Sequence, residues 1–308
     1  MKGKSIVCCF VVACALHQTH ARSQEPIERT RAEEVTIKKA LTDRRFAFID
    51  KRLNDLQKDY EQGHAGEDAI KDGYEAFGDD LDGDDLDPEQ QNALREWVKT
   101  FPKSYAAHLA VGRELMWSGL NARGEESAAD TPRERFQRMN ALFEGAKREL
   151  RISIALTRKP LYSFQALMVV ARTQGDRDEA KSILEEANKL CPANHVVRVH
   201  YQISLWPRWG GSNDEMDQFR EKARREGLDD NGLAELQAIE DWSKGMDAND
   251  RRDVASTRRY WEAAFQNGAK VDGRFKRDYL LYVTGYLCNV TSNPLYCRDP
   301  ILRPRKRG

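Results

Sequence analysis

The sequence predicts an all-α protein, a tetratricopeptide-like superhelical array of antiparallel helix pairs. Three observations lead to this prediction. Hydrophobic residues recur at helical spacing along most of the chain, several of these stretches begin with a capping motif, and two neighbouring stretches match a repeat unit of about 34 residues. Hydrophobic residues make up 40% of the chain and charged residues 32%, a balance that suits thin layers of helices with much exposed surface.

Residues 1–21 have the pattern of a secretory signal peptide. Lys2 and Lys4 precede an apolar run from Ile6 to Leu16, and small residues precede a cleavage site after Ala21. The run is too short to span a bilayer of about 30 Å. We therefore expect a periplasmic or secreted protein.

A lipid anchor is the alternative to simple export. The stretch Val11-Val12-Ala13-Cys14 resembles a bacterial lipoprotein box, in which Cys14 becomes the lipidated first residue of the mature protein. The apolar run continues beyond Cys14 through Ala15 and Leu16, which favours ordinary secretion. We expect membrane association only if Cys14 is lipidated.

The charge balance disfavours nucleic acid as a partner. Lys and Arg together number 50, as do Asp and Glu. A chain without net charge has no global field that would concentrate nucleic acid or an anionic membrane at its surface.

The first amphipathic stretch predicts a helix that ends near Gly63 and Gly66. Five apolar residues recur there at steps of three and four, which places them on one helix face: Phe46, Ile49, Leu53, Leu56 and Tyr60. An acidic segment follows. Asp80, Asp82 and Asp84 have the spacing of the first three ligands of a calcium loop, but Asp85 replaces the required glycine and Gln91 the closing glutamate. A solvated acidic linker is therefore favoured over a calcium site.

Four capping boxes predict the starts of later helices. In such a box a short polar side chain accepts from a free backbone amide, and an acid or amide three residues later reaches back. The four are Asp87-Pro88-Glu89-Gln90, Thr131-Pro132-Arg133-Glu134, Asp176-Arg177-Asp178-Glu179 and Ser212-Asn213-Asp214-Glu215. Both prolines are expected at the first helical position, where no amide hydrogen bond is lost.

The repeat unit extends from Phe164 to Pro192. Gly175 is expected to form the turn between its two helices, and Ala180 and Ala187 allow those helices to approach closely. Weaker matches predict further helices at 196–206, 215–225, 233–242, 254–265 and 274–287. The predicted organisation is a signal peptide (1–21), N-terminal helices and an acidic linker (22–87), tetratricopeptide-like repeats (88–227), C-terminal helices of the same array (228–290) and a tail (291–308).

Three stretches resemble a known family: residues 97–109 (WVKTFPKSYAAHL), Ala122-Arg123-Gly124, and Pro207-Arg208-Trp209-Gly210-Gly211-Ser212. They are similar to bacterial proteins of the domain of unknown function 4034, over roughly Arg45 to Arg225. The resemblance implies a tetratricopeptide-like fold and no assigned activity.

The stretch from Trp206 to Ser212 also has two interpretations. Trp206, Arg208 and Trp209 can form an exposed surface that binds a partner, since Trp and Arg often anchor interfaces. Glycines followed by a capping serine are equally typical of a tight turn between helices, with the tryptophans fixing it to the core. The structural interpretation is the favoured one.

Three cysteines lie beyond the signal peptide. Cys288 and Cys297 flank a turn-rich segment and are predicted to form a disulfide in an oxidising compartment, with two free thiols as the alternative. Cys191 ends an amphipathic helix and is expected to be buried and reduced.

The sequence offers little that indicates catalysis. His195 and His200 are five residues apart and do not share a helix face as a zinc pair would, and no nucleophile elbow or phosphate-binding glycine loop is found. We therefore expect no cofactor and no enzyme activity, but a binding or scaffold protein for a protein or peptide partner in the cell envelope. The alternatives are an envelope hydrolase with a carboxylate-based site in the groove of the array, and a lipid-anchored assembly factor.

Overall fold

The computed structural model describes residues 35–74, 86–124, 126, 128–271 and 274–291, and in these ranges the protein is helical without a single strand. Residues 35–42 are helical, and twelve further α-helices follow. The prediction of an all-α fold is thus confirmed. The twelve helices are α1 (Phe46–Glu61), α2 (Glu67–Tyr74), α3 (Pro88–Thr100), α4 (Tyr105–Arg123), α5 (Arg133–Ala155), α6 (Leu161–Gln174), α7 (Arg177–Leu190), α8 (Val196–Ser204), α9 (Asn213–Arg225), α10 (Asp230–Asp250), α11 (Val254–Gly268) and α12 (Arg274–Thr291).

The chain forms two compact units, divided between Glu114 and Leu115. In the first unit Ile49 and Leu53 of α1 are fully buried, while Phe46, Leu56 and Tyr60 on the predicted apolar face are half-buried. Side chains of α1 form hydrogen bonds with later parts of this unit. The indole of Trp97 donates to Asp50 Oδ1 at 3.1 Å, and Asn54 Nδ2 donates to Ser104 Oγ at 3.0 Å.

The second unit is built around α6. All residues of this helix from Leu161 to Ala171 are buried, which requires neighbours on every side. Helices α5, α7 and α8 supply them. Helix α7 is amphipathic in comparison, because only Ala180, Ile183, Leu184 and Ala187 are buried. The small Ala180 and Ala187 thus face the core, as predicted.

Helices that are two apart in sequence are neighbours in the second unit. Helix α6 packs against α8, and α8 against α10. Helices α5 and α7 are joined by ion pairs from Lys147 to Glu179 at 2.9 Å and from Arg151 to Glu186 at 2.7 Å. Because both numbers rise together, α5 and α7 run in the same direction. The observed architecture is one of packed helix pairs.

Most of the predicted helix ends are confirmed. Asp87 and Gln90 form a complete capping box before α3, Asp176 and Ser212 accept from the amides of Glu179 and Glu215, and Gly175 ends α6 with a φ of 73°. The box at Thr131 was wrong. Helix α5 begins at Arg133, because Pro132 has an extended backbone (φ −58°, ψ 145°) and so is itself the N-cap, without a side-chain cap.

Helices α9 to α12 are longer than the apolar patterns predicted, and α10 extends over 21 residues, whereas α8 ends at Ser204, two residues earlier than predicted. An aromatic cluster joins the last three helices: the rings of Trp242 and Trp261 stack at 5.1 Å, and Tyr286 meets both edge-on. None of the helices that the structure describes is long and apolar enough to cross a membrane.

Several predictions concern residues outside the described ranges. These are the signal peptide, Cys14, the calcium candidates Asp80, Asp82 and Asp84, and Cys297. Cys288 in α12 takes part in a disulfide, but its pairing with Cys297 stays a prediction. Cys191 is a buried free cysteine, as expected.

Candidate functional site

The candidate site is a cleft in the second unit, at the ends of α4 and α6 and the start of α5. It consists of two pockets, of about 870 and 400 Å³. Asn121 and Gly124 line both pockets, so the two adjoin. We call this region the Arg172 cleft. Its lining residues are Leu120, Asn121, Ala122, Arg123, Gly124, Glu126, Glu134, Arg135, Arg138, Arg172, Thr173 and Trp209.

Arg172 reaches the cleft from the last turn of α6, directly after the fully buried part of that helix. Its guanidinium carbon lies 5.6 Å from the centre of the Trp209 ring. The residue is half-buried as a whole because part of its side chain lines the cleft. Its Nε and Nη1 atoms, however, are closed off from solvent and have no hydrogen-bond partner among the described residues.

The charge on Arg172 is poorly compensated. Burial lowers the pKa of its guanidinium to about 10, which still leaves the group charged at neutral pH. Removing an ion from water costs several kcal/mol. The stack on Trp209 returns about 0.5–2 kcal/mol, and the negative end of the α6 dipole about 0.3–1 kcal/mol. Among the described residues, the positive charge of Arg172 is therefore not fully compensated, and a bound anion would compensate it.

Trp209 is held in place by a rigid turn. Residues Pro207–Trp209 form a 3₁₀ helix, and Gly210 follows with a φ of 84°, a conformation that favours glycine. At Gly211 a β-carbon would overlap the carbonyl group of Leu205. From the start of α7, Arg177 Nη1 donates to the Gly210 carbonyl oxygen at 2.9 Å and also pairs with Glu215 on α9. The position of Trp209 is thus fixed from two helices.

The opposite wall depends on a second glycine. Gly124 ends α4 with a φ of +81°, and a β-carbon there would overlap the Glu126 carboxylate and lie 2.7 Å from Arg135 Nη1. These two side chains form an ion pair at 2.7 Å. The pKa of the Glu126 carboxyl group is lowered, first by a hydrogen bond from its own backbone amide and then by the hydrogen bond and charge of Arg135. Glycine is favoured here by the positive φ, while the flexible ends of Glu126 and Arg135 could move away from an added methyl group.

The described lining residues carry more positive than negative charge. Four are arginines and two are glutamates, a net charge of +2. Arg123 donates to the Gly124 carbonyl oxygen at 3.0 Å and lies 5.8 Å from the centre of the Phe136 ring. Arg138 is exposed. The cleft thus combines a partly basic surface with two arginines held over aromatic rings.

The structure separates the three residues predicted to bind a partner. Trp209 lines the cleft. Trp206 is half-buried, and its indole nitrogen is enclosed. Arg208 is exposed and lies 3.9 Å from Asp250. Of the three, Trp209 is therefore the residue that the candidate site includes.

Arg172 was not predicted from the sequence. An arginine near the end of a helix ordinarily points to solvent and stabilises the helix dipole, so its position gave no reason to select it. The signal that could have found it is the almost uninterrupted apolar character of the preceding helix. Two of the stretches that carry the family resemblance, at 122–124 and 207–212, supply walls of the same cleft.

Two histidines of the second unit lie close to acidic or amide side chains away from the cleft. His195 lies between Asp229, at 3.3 Å, and Glu235, at 3.4 Å, and His200 contacts Gln165 at 3.1 Å. In the part of the chain that the structure describes, no three His, Cys, Asp or Glu side chains form a group that could hold a metal ion.

Comparison with known proteins returned no match among family models, curated proteins or solved structures. The resemblance to the domain of unknown function 4034 stays a prediction.

Proposed function

We propose that this chain is an exported helical-repeat protein that binds a protein or peptide partner in the cell envelope through the Arg172 cleft. One observation carries the proposal: Nε and Nη1 of Arg172 have no hydrogen-bond partner among the described residues, and the guanidinium lies near Trp209 at an open pocket. Ligand-binding sites commonly keep such groups, although an unsatisfied group lowers the stability of the free protein. The bound ligand then supplies the missing interactions.

Two further points support this function. The packed helix pairs of the second unit, with neighbours two helices apart, suit a tetratricopeptide-like array, and such arrays present extended surfaces to peptides. The pattern of residues 1–21 supports export. The hydrolase and the lipid-anchored assembly factor stay predictions, since no specific contact among the described residues favours either.

The proposal is tested by crosslinking in the native host. A photo-crosslinking amino acid is placed at Asn121, which is exposed and lines both pockets, and at Lys181, which is exposed on α7, as the control. We expect one envelope protein to be captured from position 121 only, and to be lost when Arg172→Gln is added. Equal capture from both positions, or capture that survives Arg172→Gln, contradicts the proposal.

Export is tested by the intact mass of the mature protein. Simple secretion gives a chain that begins at Arg22, whereas a lipoprotein gives one that begins at a modified Cys14. A protein that keeps residues 1–21 and stays in the cytoplasm contradicts the envelope part of the proposal.

A further inference from the structure

We propose that the Arg172 cleft binds a carboxylate of an acidic peptide segment, and that Arg172 is the residue that anchors it. This inference rests on the proposed function and adds the chemical class of the partner's group. It is argued from the unpaired nitrogens of Arg172, from the kind of cations that line the cleft, and from the acidic residues among them.

The cleft favours an anion as its ligand. Nε and Nη1 of Arg172 are enclosed and have no hydrogen-bond partner among the described residues. Arginine cannot escape the cost by losing its proton under physiological conditions. An anion at the open side of the guanidinium would supply charge-assisted hydrogen bonds, which are about twice as strong as neutral ones.

The second step is that the cations suit a planar group. Those among the described lining residues are arginines, whose flat fork of donors matches the two oxygens of a carboxylate. The guanidinium carbon of Arg172 lies 5.6 Å from the centre of the Trp209 ring, and that of Arg123 lies 5.8 Å from the centre of the Phe136 ring. These rings restrict where each guanidinium can move, and part of the Arg172 side chain still lines the open pocket.

The third step concerns the charge of the ligand. Glu126 and Glu134 line the same cleft, so a ligand with many phosphates would meet repulsion together with attraction. Glu126 already occupies Arg135. The remaining excess of positive charge is small and suits one or two carboxylates. Leu120, Ala122 and the Trp209 ring provide apolar contacts for neighbouring side chains of a peptide.

The test follows Arg172 itself. The purified mature protein, labelled with ¹⁵N, is titrated with the peptide acetyl-Leu-Asp-Asp-Leu-amide while the Nε–H resonances of its arginines are recorded. The matched control ligand has both aspartates replaced by asparagine, and inorganic phosphate is the second anion. Arg172→Gln assigns the resonance, and Arg225→Gln, on the exposed last turn of α9, is the control variant.

We expect the Arg172 resonance to move and saturate with the aspartate peptide, and the asparagine peptide to bind about tenfold more weakly or worse. Arg172→Lys should weaken binding by a similar factor, because a lysine lacks the fork, whereas Arg225→Gln should leave it unchanged. Equal binding of both peptides, or phosphate binding more tightly than the aspartate peptide, overturns the carboxylate assignment. If capture from Asn121 still depends on Arg172, the proposed function survives that result; if capture also fails, both are wrong.

Discussion

The backbone of Gly245 lies directly against the indole of Trp261. A β-carbon at position 245 would overlap Cδ1 and Nε1 of that ring. Trp261 is buried and stacks on Trp242, so it has no room to withdraw. A glycine inside a helix usually lowers stability. Here the absence of a side chain at Gly245 allows α10 and α11 to approach each other closely.

We therefore expect Gly245→Ala to destabilise the protein, although alanine favours helix formation. Overpacking of this kind costs about 1–3 kcal/mol. The measurement is the free energy of unfolding in urea. Gly66→Ala is the matched control, because nothing lies within 4 Å of the β-carbon position there. A variant at 245 as stable as the control would show that α11 can shift to accommodate the methyl group.

Arg172 and Arg198 should respond oppositely to replacement by methionine. Arg198 donates to Glu226 at 2.9 Å and to the Pro192 carbonyl oxygen at 3.0 Å, whereas Arg172 lacks such partners among the described residues. We expect Arg172→Met to raise the free energy of unfolding by about 1–3 kcal/mol, since an uncompensated charge is removed.

Arg198→Met should instead lower the free energy of unfolding by about 1–3 kcal/mol. The full penalty for breaking a buried pair is larger, but Glu226 is 35% exposed and can turn to water. Urea denaturation of both variants in parallel measures the difference. Loss of stability in Arg172→Met would mean that Arg172 serves the fold and not a ligand.

Lowering the pH should remove part of the stability that Glu226 gives to the folded protein. Burial raises the pKa of this carboxyl group, but hydrogen bonds from Lys222 and Arg198 outweigh that effect and lower it below the usual value of 4.5. A carboxyl group whose pKa is lower in the folded state stabilises the protein above its unfolded pKa, and this contribution is lost as the pH falls through the folded pKa.

Glu226→Gln should therefore destabilise the protein at pH 7 and make little difference at a pH well below 4.5. Unfolding free energies measured between about pH 7 and pH 3 test this, and the two curves should converge on the acid side. A constant offset at every pH would show that the hydrogen bonds of Glu226 do not depend on its charge.

Removal of the Asp176 cap should weaken α7. Its Oδ1 accepts from the amide of Glu179 at 2.9 Å, and losing such a cap costs about 1 kcal/mol. We expect this loss for Asp176→Ala in thermal and urea unfolding. Lys181→Ala, at an exposed position of the same helix, should be close to neutral, and a similar effect of both changes would argue against the cap.

Local chemistry was sufficient to predict the helices and most of their ends. The cap at Asp87, the cap at Asp176 and the left-handed turn at Gly175 depend on residues within one or two turns of each other, so their sequence patterns carry the needed information. The prediction failed at Thr131 because Pro132 keeps an extended backbone, so the helix begins one residue later than the box requires. A capping pattern does not fix the backbone angles of the residue that follows the proposed cap.

The sequence by itself determined that this protein is helical, where its turns lie, and that Trp209 belongs to a tight turn. Only the tertiary structure decided that Trp209 covers Arg172 and that Arg123 and Gly124 complete the same cleft. The physical reason is that burial and charge compensation depend on which distant segments meet. An arginine in the sequence carries the same charge everywhere, and only its neighbours in space decide whether that charge is satisfied.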